Sequence, residues 1–148
     1  MNGGISMTAL ELVSLGKKLS NHYRSLCLPI CRQYGINSTC FDILLFCADN
    51  PEHNTARDLC ELRGLRSGIA SVGVESLIQE GLLSRCVDTE DRRKKRLIPT
   101  EKAAPIIAAG RAMQAGFTQS LRKGISAEES AAFLKVICKL EENLSHRF

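Results

Sequence analysis

The chain has 148 residues, 44% hydrophobic and 24% charged, with a net charge of +4, seven aromatics (five Phe, two Tyr) and no Trp. This is the composition of one ordinary globular domain, and with so small a net charge any polyanion contact must come from locally concentrated cations. No apolar stretch nears the ~18 residues of a membrane span, Glu11 and a polar pattern stand where a signal sequence needs apolar residues, and so few aromatics argue against a base-stacking platform for single strands. A cytoplasmic location without membrane contact is expected.

The cysteines agree with that compartment. There are seven (Cys27, Cys31, Cys40, Cys47, Cys60, Cys86 and Cys138), an odd number with no C-x-x-C pair, unlike a disulfide framework or a zinc ribbon.

In chain order, residues 8 to 34 predict a long first helix. Leu10, Val13, Leu15, Leu19, Tyr23, Leu26 and Ile30 keep close to helical spacing. Pro29 lies inside it and predicts a kink or a break, and Gly35 ends the segment. A second helix over about Ser38 to Asp49 is apolar nearly all round and must be buried. Asn50 to Asn54 is turn chemistry. Thr55 with Asp58 has capping-box spacing and opens a short helix with Leu59 and Leu62 inward and Gly64 at its end. After a turn over Arg63 to Arg66, a further helix runs from Ser67 to Glu80, so the two form a helix-turn-helix.

Beyond Gly81, the run Leu82 to Val87 and the run Leu97 to Pro99 predict two strands. Between them Asp91 is followed by five cations, Arg92, Arg93, Lys94, Lys95 and Arg96. A charge run alone is usually a solvated loop, but at the tip of a hairpin just after a helix it suits phosphate contact. From Arg85 to Arg96 there are six cations against three acids (Asp88, Glu90, Asp91), a local excess of +3. Thr100 is placed to cap the next helix, unless Pro105 marks its first turn; its stripe is Ile106, Gly110, Met113, Phe117 and Leu121. Gly124 stops it. Ser126 and Glu129 box the start of a last helix whose stripe is Phe133, Ile137, Leu140 and Leu144. The fold class is therefore mainly α with a small β-hairpin wing: a winged helix-turn-helix between long terminal helices.

Leu77 with Gly81-Leu82-Leu83, Asp91-Arg92-Arg93, the step Leu97-Ile98-Pro99-Thr100, and Gly124-Ile125-Ser126-Ala127-Glu128-Glu129 together give the chain its resemblance to the MarR family of bacterial transcription regulators, over roughly residues 8 to 146. The resemblance implies one domain over 1–148, with a DNA-binding lobe at about 36–100 and dimerisation helices at about 8–35 and 101–148. It implies a homodimer on a pseudo-palindromic double-stranded DNA operator, with recognition helices in major grooves and Arg93 of each wing in a minor groove. Asp91 and Arg92 would brace the wing or contact backbone. Lys94 is a further DNA-contact candidate, since Lys94, Lys95 and Arg96 alternate in direction once the strand has begun and only some of them can face DNA. It also implies a repressor released by a small-molecule effector.

The recognition helix departs from that pattern. It has no Lys or Arg between Ser67 and Ser84, and Glu75 would face phosphates. Relatives commonly carry a basic residue near Val72 and a large apolar one near Gly73. Ala70, Val74, Leu77 and Ile78 project to its buried side, and Gly68, Ser71, Val72, Glu75 and Gln79 project opposite. Direct readout falls to Ser67, Ser71 and an apolar contact of Val72 with a thymine methyl, with Arg66 and the helix amides on phosphate. Shape-weighted specificity is the expectation.

Two alternatives stand beside this. Cys27 and Cys31, four apart on one helix face, are candidate sensor thiols for a redox or electrophile switch, though small buried residues are their commoner role. The uncharged helix also fits a dimeric interaction module that has lost DNA binding. His22, His53 and His146 lack the companions of a metal site. With no Gly-rich phosphate loop, nucleophile elbow or H-E-x-x-H, neither catalysis nor a cofactor is expected.

Overall fold

The computed structural model describes residues 7–145; His146 and the outer ends of the 1–148 span lie outside them. Helix α1 (Ala9–Tyr34) starts at a capping box, in which the Glu11 amide donates to Thr8 Oγ1 at 3.2 Å and the Thr8 amide donates to Glu11 Oε2 at 2.8 Å. The break expected at Pro29 does not occur, because α1 continues to Tyr34. A proline in a helix interior costs about 3 kcal/mol, but Ile30, Cys31 and Tyr34 pack into the core just beyond it. Burying a large apolar side chain is worth roughly 1.5–3 kcal/mol, so tertiary packing holds the last turn.

Helix α2 (Ser38–Asp49) is the centre of the core. Asn37 caps it by accepting from the Cys40 amide at 2.8 Å, and Cys40, Phe41, Ile43, Leu44, Leu45 and Cys47 are buried. Helix α3 (Ala56–Glu61) opens at the expected Thr55–Asp58 box and buries Leu59. Leu62 is a correction: it is 61% exposed, because α3 ends at Glu61 and Leu62 is only its cap. Gly64, at φ 75°, turns the chain into helix α4 (Ser67–Gln79).

The buried side of α4 is Ala70, Gly73, Val74 and Leu77, with Ile78 half-buried; Gly68, Ser71, Val72, Glu75 and Gln79 are exposed as expected. Gly73 is a spacer. A Cβ at that position would sit 2.5 Å from Ile43 Cδ1, so the departure noted in the sequence is what lets α4 lie close on α2.

Gly81, at φ 71°, ends α4 and aims the chain into the hairpin, with the Leu82 amide donating to Leu77 O at 2.8 Å. Strands β1 (Leu83–Val87) and β2 (Lys95–Pro99) pair antiparallel, Leu83 opposite Pro99 and Val87 opposite Lys95. The second strand starts two residues earlier than its apolar pattern indicated, so Lys95 and Arg96 belong to β2 and not to the tip. Leu83 and Leu97 seal the hairpin base against the core.

A short 3-10 turn (Glu101–Ala103) leads into helix α5 (Ala104–Leu121), with Pro105 in its first turn. Thr100 does not cap with its side chain; its hydroxyl donates to Gly81 O at 2.6 Å and fastens the hairpin exit to the end of α4. Helix α6 (Ala127–Ser145) opens at the Ser126–Glu129 box.

The chain separates into two compact units, Met1–Gln114 and Ala115–Phe148. The first holds the core just described, including Ile106, Ile107 and Gly110 of α5. In the second, no residue of α6 is buried, and Phe133, Leu134, Val136 and Leu144 are more than half exposed.

Candidate nucleic-acid interface

The hairpin loop gets its shape from Asp88, a residue that the sequence reading counted only as a charge. Its carboxylate is buried, 8% exposed. Oδ1 accepts from the amides of Glu90 (2.8 Å) and Asp91 (3.0 Å), and Oδ2 accepts from Arg96 Nε. The Asp91 amide, then the Arg96 guanidinium and the Glu90 amide, hold the Asp88 carboxyl down to about 2. The loop then closes on itself, with the Lys94 amide donating to Asp91 O at 2.9 Å and the Asp88 amide donating to Lys94 O at 2.9 Å.

Asp91 Oδ1 accepts from the Arg93 amide at 3.0 Å. The spacing D-x-x-D before the cations was a readable sign of such a turn.

Arg96 is corrected from tip residue to staple. Besides Asp88 it donates to Pro51 O at 2.9 Å and to Asn54 Oδ1 at 3.4 Å. The Leu97 amide donates to Asn54 O at 2.8 Å, and Thr55 bridges to Arg96. The wing is thus bound to the turn between α2 and α3. Arg92, Arg93, Lys94 and Lys95 all remain exposed. Four exposed cations in sequence with no acid among them suit phosphate contact.

On α4, Arg66 is the N-cap residue and makes no side-chain cap. The first amides of α4 and the exposed Arg66 and Ser67 therefore face outward together, an arrangement suited to an anion. Ser71 and Val72 follow on the exposed side. Glu75 is not left as a bare charge there: Arg85 of β1 pairs with it, Nη2 to Oε1. This pair joins hairpin and helix and places a cation beside Glu75. Being partly exposed, it adds little stability.

Cys27 and Cys31 lie in the core at 4% and 5% exposure. Burial pushes both thiols up, the opposite of what a reactive thiolate needs. Beside Cys27 a cleft of about 190 Å³ is lined by Tyr23, Arg24, Asp42 and Arg63, with Arg63 Nη2 paired to Asp42 Oδ1 at 2.7 Å. No helix among the described residues is long and apolar enough to cross a membrane.

Comparison with known proteins agrees with this geometry. Residues 34–94, from the end of α1 to the wing loop, match the family model described as MarR family. The fold matches the transcriptional regulator PA3341 at 26% identity and TM-score 0.74, over 90% of this chain and 99% of that one. It matches the Staphylococcus aureus MepR–DNA complex at 17% identity and TM-score 0.75, over 93% and 96%. It matches CouR from Rhodococcus jostii RHA1, bound to p-coumaroyl-CoA, at 19% and 0.72, over 93% and 91%; at such identities these last two speak for the fold alone. The segment that resembles the MarR family takes in the helix-turn-helix, β1 and the wing loop, and over nearly the whole chain the fold is similar to that of a transcriptional regulator.

Proposed function

We propose that the chain is a homodimeric, sequence-specific double-stranded DNA-binding regulator, acting as a repressor that a small-molecule effector releases. The observation that carries the DNA reading is the wing: Arg92, Arg93 and Lys94 stand exposed on a loop that Asp88 and Arg96 hold rigid. The four-residue run Arg92–Lys95 reaches outward while the fifth cation is spent on anchoring it. Arg93 enters the minor groove, with Arg92 and Lys94 on backbone, and α4 meets the major groove through Ser67, Ser71 and Val72. The solved MepR complex with DNA supports this by kinship of fold.

Dimerisation is supported by apolar residues that a lone chain leaves in water. On α1, Leu10 is 77% and Val13 56% exposed; on α6, Phe133 is 62% and Leu144 75% exposed. Contiguous faces of that kind ordinarily mark an interface. The cleft beside Tyr23 and Arg24 is the place for an effector, and bound p-coumaroyl-CoA in CouR supports a small-molecule ligand.

The test is titration of the upstream intergenic duplex at several salt concentrations. Affinity should fall steeply with salt, and Arg93→Ala should make the log–log slope shallower by about 1 per subunit. No salt-dependent shift at moderate ionic strength would remove the reading.

A further inference from the structure

The exposed side of α4 carries apolar residues where hydrogen-bonding forks would be expected. Ile69 is 47% exposed and Val72 is 72% exposed, and at i,i+3 they are neighbours on the helix surface. Beside them an open groove of about 620 Å³ runs along α4 to the start of α2, lined by Thr39, Gly68, Ile69, Val72 and Ser76 among others.

The two glycines of α4 differ in what they serve. Gly73 is demanded by Ile43, whose Cδ1 occupies the space a side chain would need. At Gly68 an added Cβ would meet no heavy atom within 4 Å. Position 68 thus leaves the α4 backbone open to close approach from outside.

Charge points the same way. From Ser67 to Ser84 there is no Lys or Arg, and Arg85 is engaged with Glu75. Purine edges in the major groove are read by Arg, Lys, Asn or Gln. Within α4 only Gln79 at its far end is of this kind, while Arg66 at the N-cap and Asn37 stand at the end of the groove away from Val72 and Ser76. The one apolar group that a base pair shows in the major groove is the thymine 5-methyl.

We infer that Ile69 and Val72, flanking the bare backbone at Gly68, form a reader of pyrimidine 5-methyl groups, so that this chain chooses its operator by where thymine methyls fall in the major groove. The inference rests on the DNA-binding reading above. Ser67 and Ser71 add hydrogen bonds that either kind of base edge can satisfy, and so contribute little discrimination.

The experiment enriches duplexes from a random-sequence library with the wild-type protein. The enriched duplex is then resynthesised with deoxyuridine replacing thymidine one position at a time. Deoxyuridine keeps every hydrogen-bonding atom and removes only the methyl. At one or two positions of each half-site Kd should rise about three- to fivefold, the worth of one buried methyl-sized group. Where cytosine replaces such a thymine, 5-methylcytosine should recover part of the loss.

Val72→Ser and Ile69→Ser remove the side-chain methyls from exposed positions and should leave the thermal unfolding curve in place. In these variants the thymidine-to-deoxyuridine difference should vanish. Equal affinity for both duplexes at every position, or a methyl effect that survives both variants, overturns the inference and leaves the DNA-binding reading standing. A wild-type protein that binds no duplex even at low salt sinks both.

Discussion

Replacing Gly73 by alanine tests the packing that seats the recognition helix. The new Cβ would lie 2.5 Å from Ile43 Cδ1 and 3.7 Å from Thr39 Cγ2. Ile43 is fully buried, so its terminal methyl yields only by turning to another rotamer among its core neighbours. Overpacking of a filled core costs about 1–3 kcal/mol. Against that, Gly→Ala in a helix interior gains about 0.8–1.0 kcal/mol. The net expectation is destabilisation of about 1 kcal/mol. Gly68→Ala is the control, since it meets nothing and should be neutral or stabilising by up to ~1 kcal/mol.

The decisive measurement is a double-mutant cycle. Ile43→Val deletes the clashing Cδ1 and by itself costs about 0.5–1.5 kcal/mol. Combined with Gly73→Ala, the new methyl occupies the vacated volume, and the pair should be more stable than the sum of the singles by about 1–2 kcal/mol. Urea unfolding at one fixed protein concentration reads this, the concentration being fixed because association couples to unfolding. If the two changes add within ~0.5 kcal/mol, or if Gly73→Ala gains the whole propensity term, the close approach of α4 to α2 does not constrain position 73.

The Asp88 carboxyl, held down to about 2 from an ordinary 3.8, gives the wing a pH signature. Because the folded value is the lower one, its contribution is complete above about pH 4 and is lost as pH falls through about 2. The Glu90 and Asp91 amide resonances should follow that titration, and Asp88→Asn should abolish it; an Asp88 carboxyl that titrates near 4 refutes the network. For the thiols, exposed Cys86 should react with a disulfide reagent in the native protein. Cys27, Cys31, Cys40 and Cys47 should react only on unfolding, the last having been pushed up to about 12 by burial. Native labelling of Cys27 or Cys31 as fast as Cys86 would revive them as sensors.

What the sequence determined by itself is what depends on neighbours a few residues apart. The Thr55–Asp58 and Ser126–Glu129 boxes form as their spacing requires, since a cap is satisfied within one turn. The buried helix Ser38–Asp49 and the inward face of α4 were legible because periodicity maps directly to burial. Tertiary structure decided the rest. Pro29 stays helical because residues beyond it are packed into the core, and no local rule carries that energy. Arg96 looked like one more wing cation until its partners Pro51 and Asn54, more than forty positions away, drew it inward. Gly73 looked like a defect in a recognition helix until Ile43, thirty positions earlier, supplied the atom that excludes a side chain. Each of these outcomes depends on which distant atom arrives at the site, a fact that only the packed chain contains.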